Sequence, residues 1–282
     1  MSETKNNTTT HSTLIKDEVL KMLIEPLEAA SVVLASGPTV FNSSNPLRIP
    51  RLDSSGDVTW VGEGEQIPDE YTAKFSEIAL MPKERKSLKS ITRVTNELIR
   101  MANLSISPIL QQRIVNDVKH KLDDALLVGD GEDNTVTGIF NQEEVQKGTL
   151  DLSKPDSLLD ALALATAEEV TPNRWLFNGG DFYTLRKVKD NNGRYLIQET
   201  LQQGVTYTLF GIPVTVSNKV PKGKGALLDM KQVAVVRDMD PQVTILNERY
   251  AEFDEVGIRV VTRYDLGLLN PKGVVILASE SD

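Results

Sequence analysis

The chain of 282 residues contains no cysteine and only two histidines, His11 and His120. Without cysteine it can form no disulfide, thiolate zinc site or iron–sulfur cluster, and it has no cysteine nucleophile. The two histidines stand far apart, His11 in a polar N-terminal stretch and His120 between two lysines. A His-based metal site or a Ser-His-Asp triad would have to rest on one of them, so both classes of site are disfavoured.

Long apolar runs and an excess of basic charge are missing as well. No uninterrupted apolar stretch approaches the ~20 residues that a membrane helix needs, and the polar residues 1–13 lack the apolar region of a secretory signal. Acidic residues outnumber basic ones by 40 to 31, which gives a net charge of −9. Because phosphate binding depends on clustered Lys and Arg, this balance argues against a coat that holds nucleic acid through basic patches.

The composition that is present is that of an ordinary globular protein, with 40% hydrophobic and 25% charged residues, enough for a core in one or two domains. The clearest element is a long helix, for which Ser107 suits the N-cap and Pro108 the first position. A four-residue spacing predicts its apolar face, formed by Leu110, Ile114, Val118 and Leu122. With Gly129 as the stop, residues 108–128 would form a strut about 32 Å long at ~1.5 Å per residue, with His120 exposed.

The rest of the chain mixes helices and strands. Helical spacing of apolar residues predicts helices over 158–169 and 181–189. Runs of β-branched and aromatic residues predict strands over 174–177, 214–216, 233–236, 243–246, 258–262 and 274–277. Because this order shows no βαβ alternation, the predicted class is α+β.

Residues 75–80 alternate apolar and polar side chains, but neither face is cleanly apolar, which predicts an exposed hairpin arm. Charge is split across this region. Acids come first, at Glu63 and Glu65, and bases follow, at Lys83, Arg85, Lys86 and Arg93. A solvated surface loop would explain these charges, and so would an arm that presents opposite charges to two different neighbours.

No motif for catalysis or cofactor binding is visible. The glycine-containing loop 221–225 lacks phosphate-loop spacing, and the loop that begins at Asp130 has Thr135 where a calcium loop needs glycine. Forty acids guarantee chance carboxylate pairs, so a carboxylate-dependent hydrolase stays a remote alternative. Trp60 and Trp175 suit packing better than sugar binding. We therefore predict that the chain is not an enzyme and has no cofactor or metal site.

Five short blocks of residues stand in a characteristic order between about Arg48 and Leu277. They are Trp60–Gly64 with Ile67, Pro68, Phe75, Leu80 and Lys83; Ile91–Leu98; Asp124 and Ala125 with Gly129–Gly131, Gly138 and Ile139; Asn178, Leu185, Lys189, Asp190, Gly193–Leu196 and Leu209–Val214; and Phe253, Val256, Ile258, Arg259, Arg263–Asp265 and Pro271. Each block is weak alone, but the ordered set resembles the major capsid proteins of tailed bacteriophages, in the lineage of phage Hong Kong ninety-seven.

The resemblance implies a fold with several named parts. These would be an N-terminal arm (1–35), the start of a peripheral domain (36–55), an extended hairpin loop (56–92), a peripheral domain with a long spine helix (93–146), an axial domain (147–243) and closing peripheral strands (244–282). The predicted strut would be the spine helix, and the hairpin with split charge would lie across a neighbouring subunit.

The resemblance also implies a function. The chain would self-assemble, as pentamers and hexamers, into an icosahedral shell that encloses double-stranded viral DNA without sequence-specific binding. It would be a virion component assembled in the host cytoplasm, with separate scaffolding, portal and decoration proteins as further partners and no role for a membrane. The residues expected at subunit interfaces are Trp60, Glu63, Glu65, Lys83, Arg85, Lys86 and Arg93.

The resemblance leaves one alternative function open, and this chain departs from some members of the family at one position. An encapsulin-type nanocompartment, which packages enzyme cargo, would share the fold and is the main alternative function. Relatives that weld their subunits by a Lys–Asn isopeptide bond would need Asn near the closing strands, where this chain has Glu252 before Phe253. We therefore expect no autocatalytic cross-linking.

Overall fold

The computed structural model describes residues 27, 30–43, 45–54, 74–81, 87–97, 106–132, 135–189, 207–237, 242–246 and 248–279. Its helices are α1 (Val32–Ala35), α2 (Ile106–Val128), α3 (Asp156–Ala167) and α4 (Gly179–Arg186). Its strands are β1 (Thr39–Asn42), β2 (Leu47–Ser54), β3 (Lys74–Leu80), β4 (Leu88–Thr95), β5 (Gln146–Thr149), β6 (Arg174–Phe177), β7 (Thr208–Leu209), β8 (Ile212–Val216), β9 (Lys224–Leu228), β10 (Val233–Arg237), β11 (Gln242–Leu246), β12 (Glu255–Thr262), β13 (Tyr264–Leu268) and β14 (Val274–Ala278). Within these ranges, no helix is long and apolar enough to cross a membrane.

The predicted strut is confirmed as α2, a helix of 23 residues, which is about 34 Å long at ~1.5 Å per residue. It buries one face in the main core, through Val115, Val118, Leu122, Leu126 and Leu127. His120 is exposed, as predicted. The predicted cap is wrong, because the helix begins at Ile106 and Ser107 lies inside its first turn. Pro108 is tolerated there, because the first helical N–H groups have no partner within the helix.

Gly129 ends α2, as predicted, but the reason is space rather than a left-handed backbone. A Cβ atom on Gly129 would lie 2.0 Å from the carbonyl oxygen of Val136. The returning loop crosses the helix end backbone to backbone, and the N–H of Gly138 donates to the carbonyl oxygen of Gly129 at 2.8 Å. A Cβ on Gly138 would in turn lie 2.5–2.6 Å from backbone atoms of Leu127 and Val128.

The largest sheet has six strands in the order β5-β14-β9-β6-β8-β7. β6 runs parallel to β8, and α4 lies between them in the chain. β5 and β6 also run parallel to each other, because β5 is parallel to β14 and both β14 and β6 are antiparallel to β9. Helix α3 lies between β5 and β6 in the chain. The predicted absence of βαβ units is therefore wrong. The linear order hid the parallel relation of β5 and β6 because β9 and β14, which separate them in the sheet, come much later in the sequence.

Alternating side chains give this sheet two buried faces. Trp175 and Phe177 share one face with Leu158 of α3 and Phe182 of α4. Leu176, between them, belongs to the main core that also contains the apolar face of α2. The sheet thus lies between α2 on one side and the pair α3 and α4 on the other. Trp175 is fully buried and donates its indole N–H to the carbonyl oxygen of Leu209 at 3.3 Å, which confirms its packing role.

Two three-stranded sheets and a hairpin complete the fold. The sheets have the orders β1-β10-β13 and β11-β12-β4, and β2 pairs with β3 as an antiparallel hairpin. The strands at 174–177, 214–216, 233–236, 243–246, 258–262 and 274–277 are confirmed to within three residues at their ends, and so are helices α3 and α4, whose predicted ranges each began and ended two to three residues late. The glycine-containing loop at 221–225 ends inside β9, where Gly225 leaves space for the Phe177 ring.

Candidate functional site

The β2–β3 hairpin leaves the body of the protein from a small apolar core of its own. Leu80 and Met81 are buried there against Ala234 and Val236 of β10. Gly267 of β13 makes this contact possible, because a Cβ at that position would lie 2.7 Å from a methyl group of Leu80. The exposed arm that the sequence predicts therefore has a firmly packed base, while residues 55–73 lie outside the described part of the chain.

The end of β3 is held in an unusual backbone conformation. Met81 has a φ of 54°, in the left-handed region that long side chains rarely adopt. Its N–H donates to the Asp265 carboxylate at 2.6 Å, and its side chain is buried. A charge-assisted hydrogen bond and burial together offset the strain. Asp265 therefore fixes the direction in which the chain leaves the hairpin.

Six of the seven predicted interface residues lie outside the described residues. They are Trp60, Glu63, Glu65, Lys83, Arg85 and Lys86. Arg93 is described. It is exposed on β4, and its guanidinium carbon lies 4.4 Å from the centre of the Tyr250 ring, a cation–π distance. Arg249 lies 5.7 Å from the same ring centre.

We call Arg93, Arg249 and Tyr250 the arginine–tyrosine patch. Gly257 provides the room for it, because a Cβ there would lie 2.7 Å from the Tyr250 ring. Phe253, in the next short turn, is 63% exposed, so cationic and apolar groups meet on one open surface. Such a surface suits contact with another protein. Sequence reasoning found only Arg93. Arg249, Tyr250 and Phe253 come near it because they precede β12, which pairs with β4 more than 150 residues away in the chain.

Exposed aromatic side chains also occur at the far edge of the six-stranded sheet. Tyr183 of α4 and Phe210, in the turn between β7 and β8, are each about half exposed. Sequence reasoning missed both as surface residues. A signal was present at Phe210, because the dipeptide Phe-Gly occupies a two-residue hairpin turn where Asn-Gly is the common choice.

A buried acid joins the N-terminal segment to the strut. Asp123 of α2 is 1% exposed. Its carboxylate accepts a hydrogen bond from the Ser31 hydroxyl at 2.6 Å and from the Val32 N–H at 3.1 and 3.2 Å. Ser31 in turn caps α1 by accepting from the N–H of Leu34. The carboxylate therefore holds the start of α1 against α2, and these charge-assisted hydrogen bonds offset part of the cost of burying it.

The acids around the base of the hairpin form ion pairs with arginines. Glu77 pairs with Arg48 at 3.0 Å and Glu144 with Arg51 at 3.2 Å, and both acids line a polar groove of about 550 Å³. No cluster of three or more potential metal ligands occurs among the residues that the structure describes. The hydrolase alternative gains no support from this groove.

The loops that begin with aspartates are closed by local hydrogen bonds. Asp130 accepts from the N–H of Glu132 and the hydroxyl of Thr135, at 3.0 and 2.6 Å. Hydrogen bonds from the hydroxyl and the N–H of Ser153 lower the pKa of the partly exposed Asp151 below its ordinary value. Both arrangements are those of Asx turns.

Comparison with known proteins gives consistent matches. Residues 12–279 match the model of the phage capsid family. The major capsid protein of Klebsiella oxytoca phage phiKO2 is 22% identical over 297 residues, which cover 93% of this chain and 66% of that protein. The major capsid protein of Halomonas phage phiHAP-1 is 29% identical over 122 residues, which cover 43% of this chain and 20% of that protein. The chain thus spans just under two thirds of the first relative's length.

Solved structures share the fold at low identity. The capsid of a native GTA particle matches with a TM-score of 0.72 and 17% identity, over 88% of this chain and 90% of that chain. A structure from Mycobacterium phage Bobi matches with a TM-score of 0.68 and 17% identity, over 89% of this chain and 91% of that chain. At this identity the likeness establishes a shared fold, in which helices and sheets are mixed as predicted.

Proposed function

Because the chain belongs to the phage capsid family, we propose that it is the major head protein of a tailed bacteriophage in the Hong Kong ninety-seven lineage. In this proposal it self-assembles, through pentamers and hexamers, into an icosahedral shell that encloses double-stranded DNA. It is a structural protein of the virion, assembled in the host cytoplasm, without catalytic activity or cofactor. The family and the mixed helix-and-sheet class that the sequence predicted are confirmed.

One arrangement carries the proposal. A strut about 34 Å long lies beside a six-stranded sheet whose far edge is aromatic and exposed. The β11-β12-β4 sheet carries the arginine–tyrosine patch, and the hairpin packs on the β1-β10-β13 sheet. Contact-prone surfaces thus lie on different parts of one subunit. A closed shell needs several interfaces of moderate size, and their joint effect far exceeds the strength of any one of them.

The proposed division of the chain follows the family's parts. Residues 1–35 form the N-terminal arm, 36–55 open the peripheral domain, 56–92 form the extended hairpin loop and 93–146 contain the spine helix. Residues 147–243 form the axial domain, and 244–282 close the peripheral domain. The burial of Asp123 against Ser31 supports an arm whose end is tied to the spine, and the pairing of β14 with β5 and β9 ties the closing segment to the six-stranded sheet.

Electron microscopy and light scattering of the purified chain test the proposal directly. A subunit of 31.2 kDa should give hollow particles of megadalton mass when expressed alone or with a scaffolding protein from the same source. A chain that stays monomeric at high concentration under both conditions would contradict it. Particles that copurify with a defined enzyme, and that take up no DNA, would indicate a nanocompartment instead.

The basic segment after β3 provides a second prediction. Reversing Lys83, Arg85 and Lys86 to Glu should block assembly, because the split charge of this region would then no longer complement a neighbour. Circular dichroism and thermal unfolding should show an unchanged subunit. Each reversal changes the charge by −2, so the net charge falls from −9 to about −15, and this alone weakens assembly to some degree.

A matched control separates the two effects. The triple reversal of Lys121, Lys154 and Lys222 to Glu changes net charge equally at exposed positions outside the hairpin. This control variant should form particles, and the dependence of its assembly on salt concentration should shift only modestly. Normal particles from the hairpin variant, or equal losses in both variants, would remove the specific role of this segment.

A further inference from the structure

The turn between β7 and β8 holds an aromatic side chain at a backbone position that disfavours it. Leu209 pairs with Ile212, so Phe210 and Gly211 form a two-residue turn, with φ values of 50° and 80°. Positive φ at both positions defines a turn in which Asn-Gly is preferred, and a bulky residue there is strained. The Phe210 side chain is 51% exposed, so burial within the subunit compensates for the strain only in part.

Helix α4 packs against Tyr207, which stands just before β7 of the same hairpin, with 5.2 Å between the ring centres of Phe182 and Tyr207, and α4 carries further aromatic and basic side chains. Tyr183 on α4 is half exposed, and the Arg186 guanidinium lies 5.9 Å from its ring centre and 5.0 Å from that of Tyr207. Lys187, which follows α4, is exposed. We call Phe210, Tyr183 and Lys187 the aromatic tip.

The opposite edge of the same sheet has a complementary surface. A groove of about 480 Å³ runs between β5 and α3 and is lined mainly by small or apolar residues, which include Gly148, Ala161, Ala163, Leu164 and Ala167. Its volume falls in the ~300–1,000 Å³ range of ligand-binding clefts. Leu159, one turn before Ala163 on α3, is 48% exposed. Asp156 and Asp160 are exposed on the same helix, which carries no basic residue, so the helix side of the groove is acidic where the tip is basic. We call this surface the α3 groove.

The two surfaces cannot meet within one subunit. β5 and β7 are the outermost of six strands, so their edges lie about 24 Å apart at ~4.8 Å per strand. α3 and α4 pack on the same face of the sheet, so tip and groove look outward in opposite directions from a common layer. Two different, complementary patches on one subunit form a head-to-tail contact, which closes into a ring when the rotation allows it.

We propose that the aromatic tip of one copy docks in the α3 groove of the next copy around a ring. This inference rests on the proposed shell function and identifies one of its contacts. Phe210 is the buried anchor of the contact, and the acids of α3 pair with the basic side chains of α4 at its rim. The strain at Phe210 is then compensated by burial of the ring against a second copy.

Replacing Phe210 by Asn tests the anchor, because it should move two measurements in opposite directions. Asn-Gly suits the turn, so the melting temperature of the unassembled subunit should rise by about 2 °C. Loss of the anchor should raise the protein concentration needed for assembly by about tenfold or more. Phe210→Tyr, which keeps the ring and the strain, should behave like the unmodified chain on both measurements. An Asn variant that assembles at the unmodified concentration would overturn the inference.

The absence of native cysteine allows a direct test of the partner. The double variant Phe210→Cys with Ala163→Cys should give a ladder of linked subunits on denaturing gels after treatment of particles with a short bismaleimide. Each single variant should give no ladder. The pair Phe210→Cys with Asn116→Cys, which places the second thiol on the exposed face of α2, should also give none.

The outcomes separate this contact from the shell function. If the unmodified chain forms particles and the tip–groove pair gives no ladder, the contact is wrong and the shell function stands. If the unmodified chain forms no particles, both fall. Linkage of Ala163→Cys to a different protein that copurifies, with none between copies, would identify another occupant of the groove and also overturn the inference.

Discussion

Replacing Asp123 by alanine is expected to destabilise the free subunit by about 3 kcal/mol. The change removes the acceptor for the Ser31 hydroxyl and the Val32 N–H. Ser31 is fully buried, so its hydroxyl would lose a charge-assisted hydrogen bond and gain no water in exchange. Urea unfolding, measured below the concentration at which the chain assembles, would report the loss, and limited proteolysis should show earlier cleavage around residues 27–36.

The adjacent residue provides a matched control. Asp124 is about half exposed and pairs with Lys219 at 2.9 Å. A partly exposed ion pair of this kind contributes ~0–1 kcal/mol, so Asp124→Ala should change stability little. Asp123→Asn keeps the shape and one acceptor oxygen, and should fall between the two. Equal losses from the two alanine variants would show that the buried carboxylate does not hold α1 to α2.

The second large effect is expected at Gly138. A Cβ at this position would lie 2.5–2.6 Å from backbone atoms at the end of α2, and backbone cannot rotate away as a side chain can. Gly138→Ala should therefore destabilise the subunit by roughly 3 kcal/mol or more, and Gly129→Ala, whose Cβ would lie 2.0 Å from a carbonyl oxygen, should cost at least as much. Thermal unfolding of soluble subunits would measure both.

Gly180 provides the contrast for these glycines. It lies near the start of α4, and the nearest atom that an added Cβ would meet there is 3.5 Å away. Because alanine is the better helix former, Gly180→Ala should be neutral or stabilise by up to about 1 kcal/mol. A destabilisation at Gly138 no greater than that at Gly180 would mean that the loop after α2 can shift without cost.

Local patterns allowed parts of the fold to be predicted, and distant pairings limited the rest. The strut was predicted because its apolar spacing is a property of adjacent helical turns. The strand at 174–177 was predicted because Trp175, Leu176 and Phe177 form a short run of large apolar side chains. β1, β4, β5, β7, β9 and β13 were missed. All of these except the two-residue β7 pair with strands that lie about 30 to 200 residues away in the chain, and β4, β5 and β13 carry charged or glycine residues.

In the candidate surfaces, too, local sequence indicated some residues, and contacts between distant parts of the chain determine the others. Charge order in the sequence indicated the hairpin segment and Arg93, but not the Tyr250 ring that Arg93 covers. Asp123 follows Leu122 on the buried stripe of α2, and an acid at that position looks solvated until Ser31, 92 residues earlier, is seen beside it. The Phe-Gly dipeptide at Phe210 was a local signal, but the strain and the exposure of this side chain are known only from the structure.

The place of β14 in the six-stranded sheet has a consequence for the timing of synthesis. β14 is the last of the described strands in chain order, yet it separates β5 from β9, and β5 pairs with β14 alone among the described strands. The sheet edge that carries the α3 groove can therefore form only after residue 278 has emerged from the ribosome. Nascent chains on one messenger RNA would lack a completed docking edge until β14 has been synthesised, so association through that edge would be delayed to that point of translation.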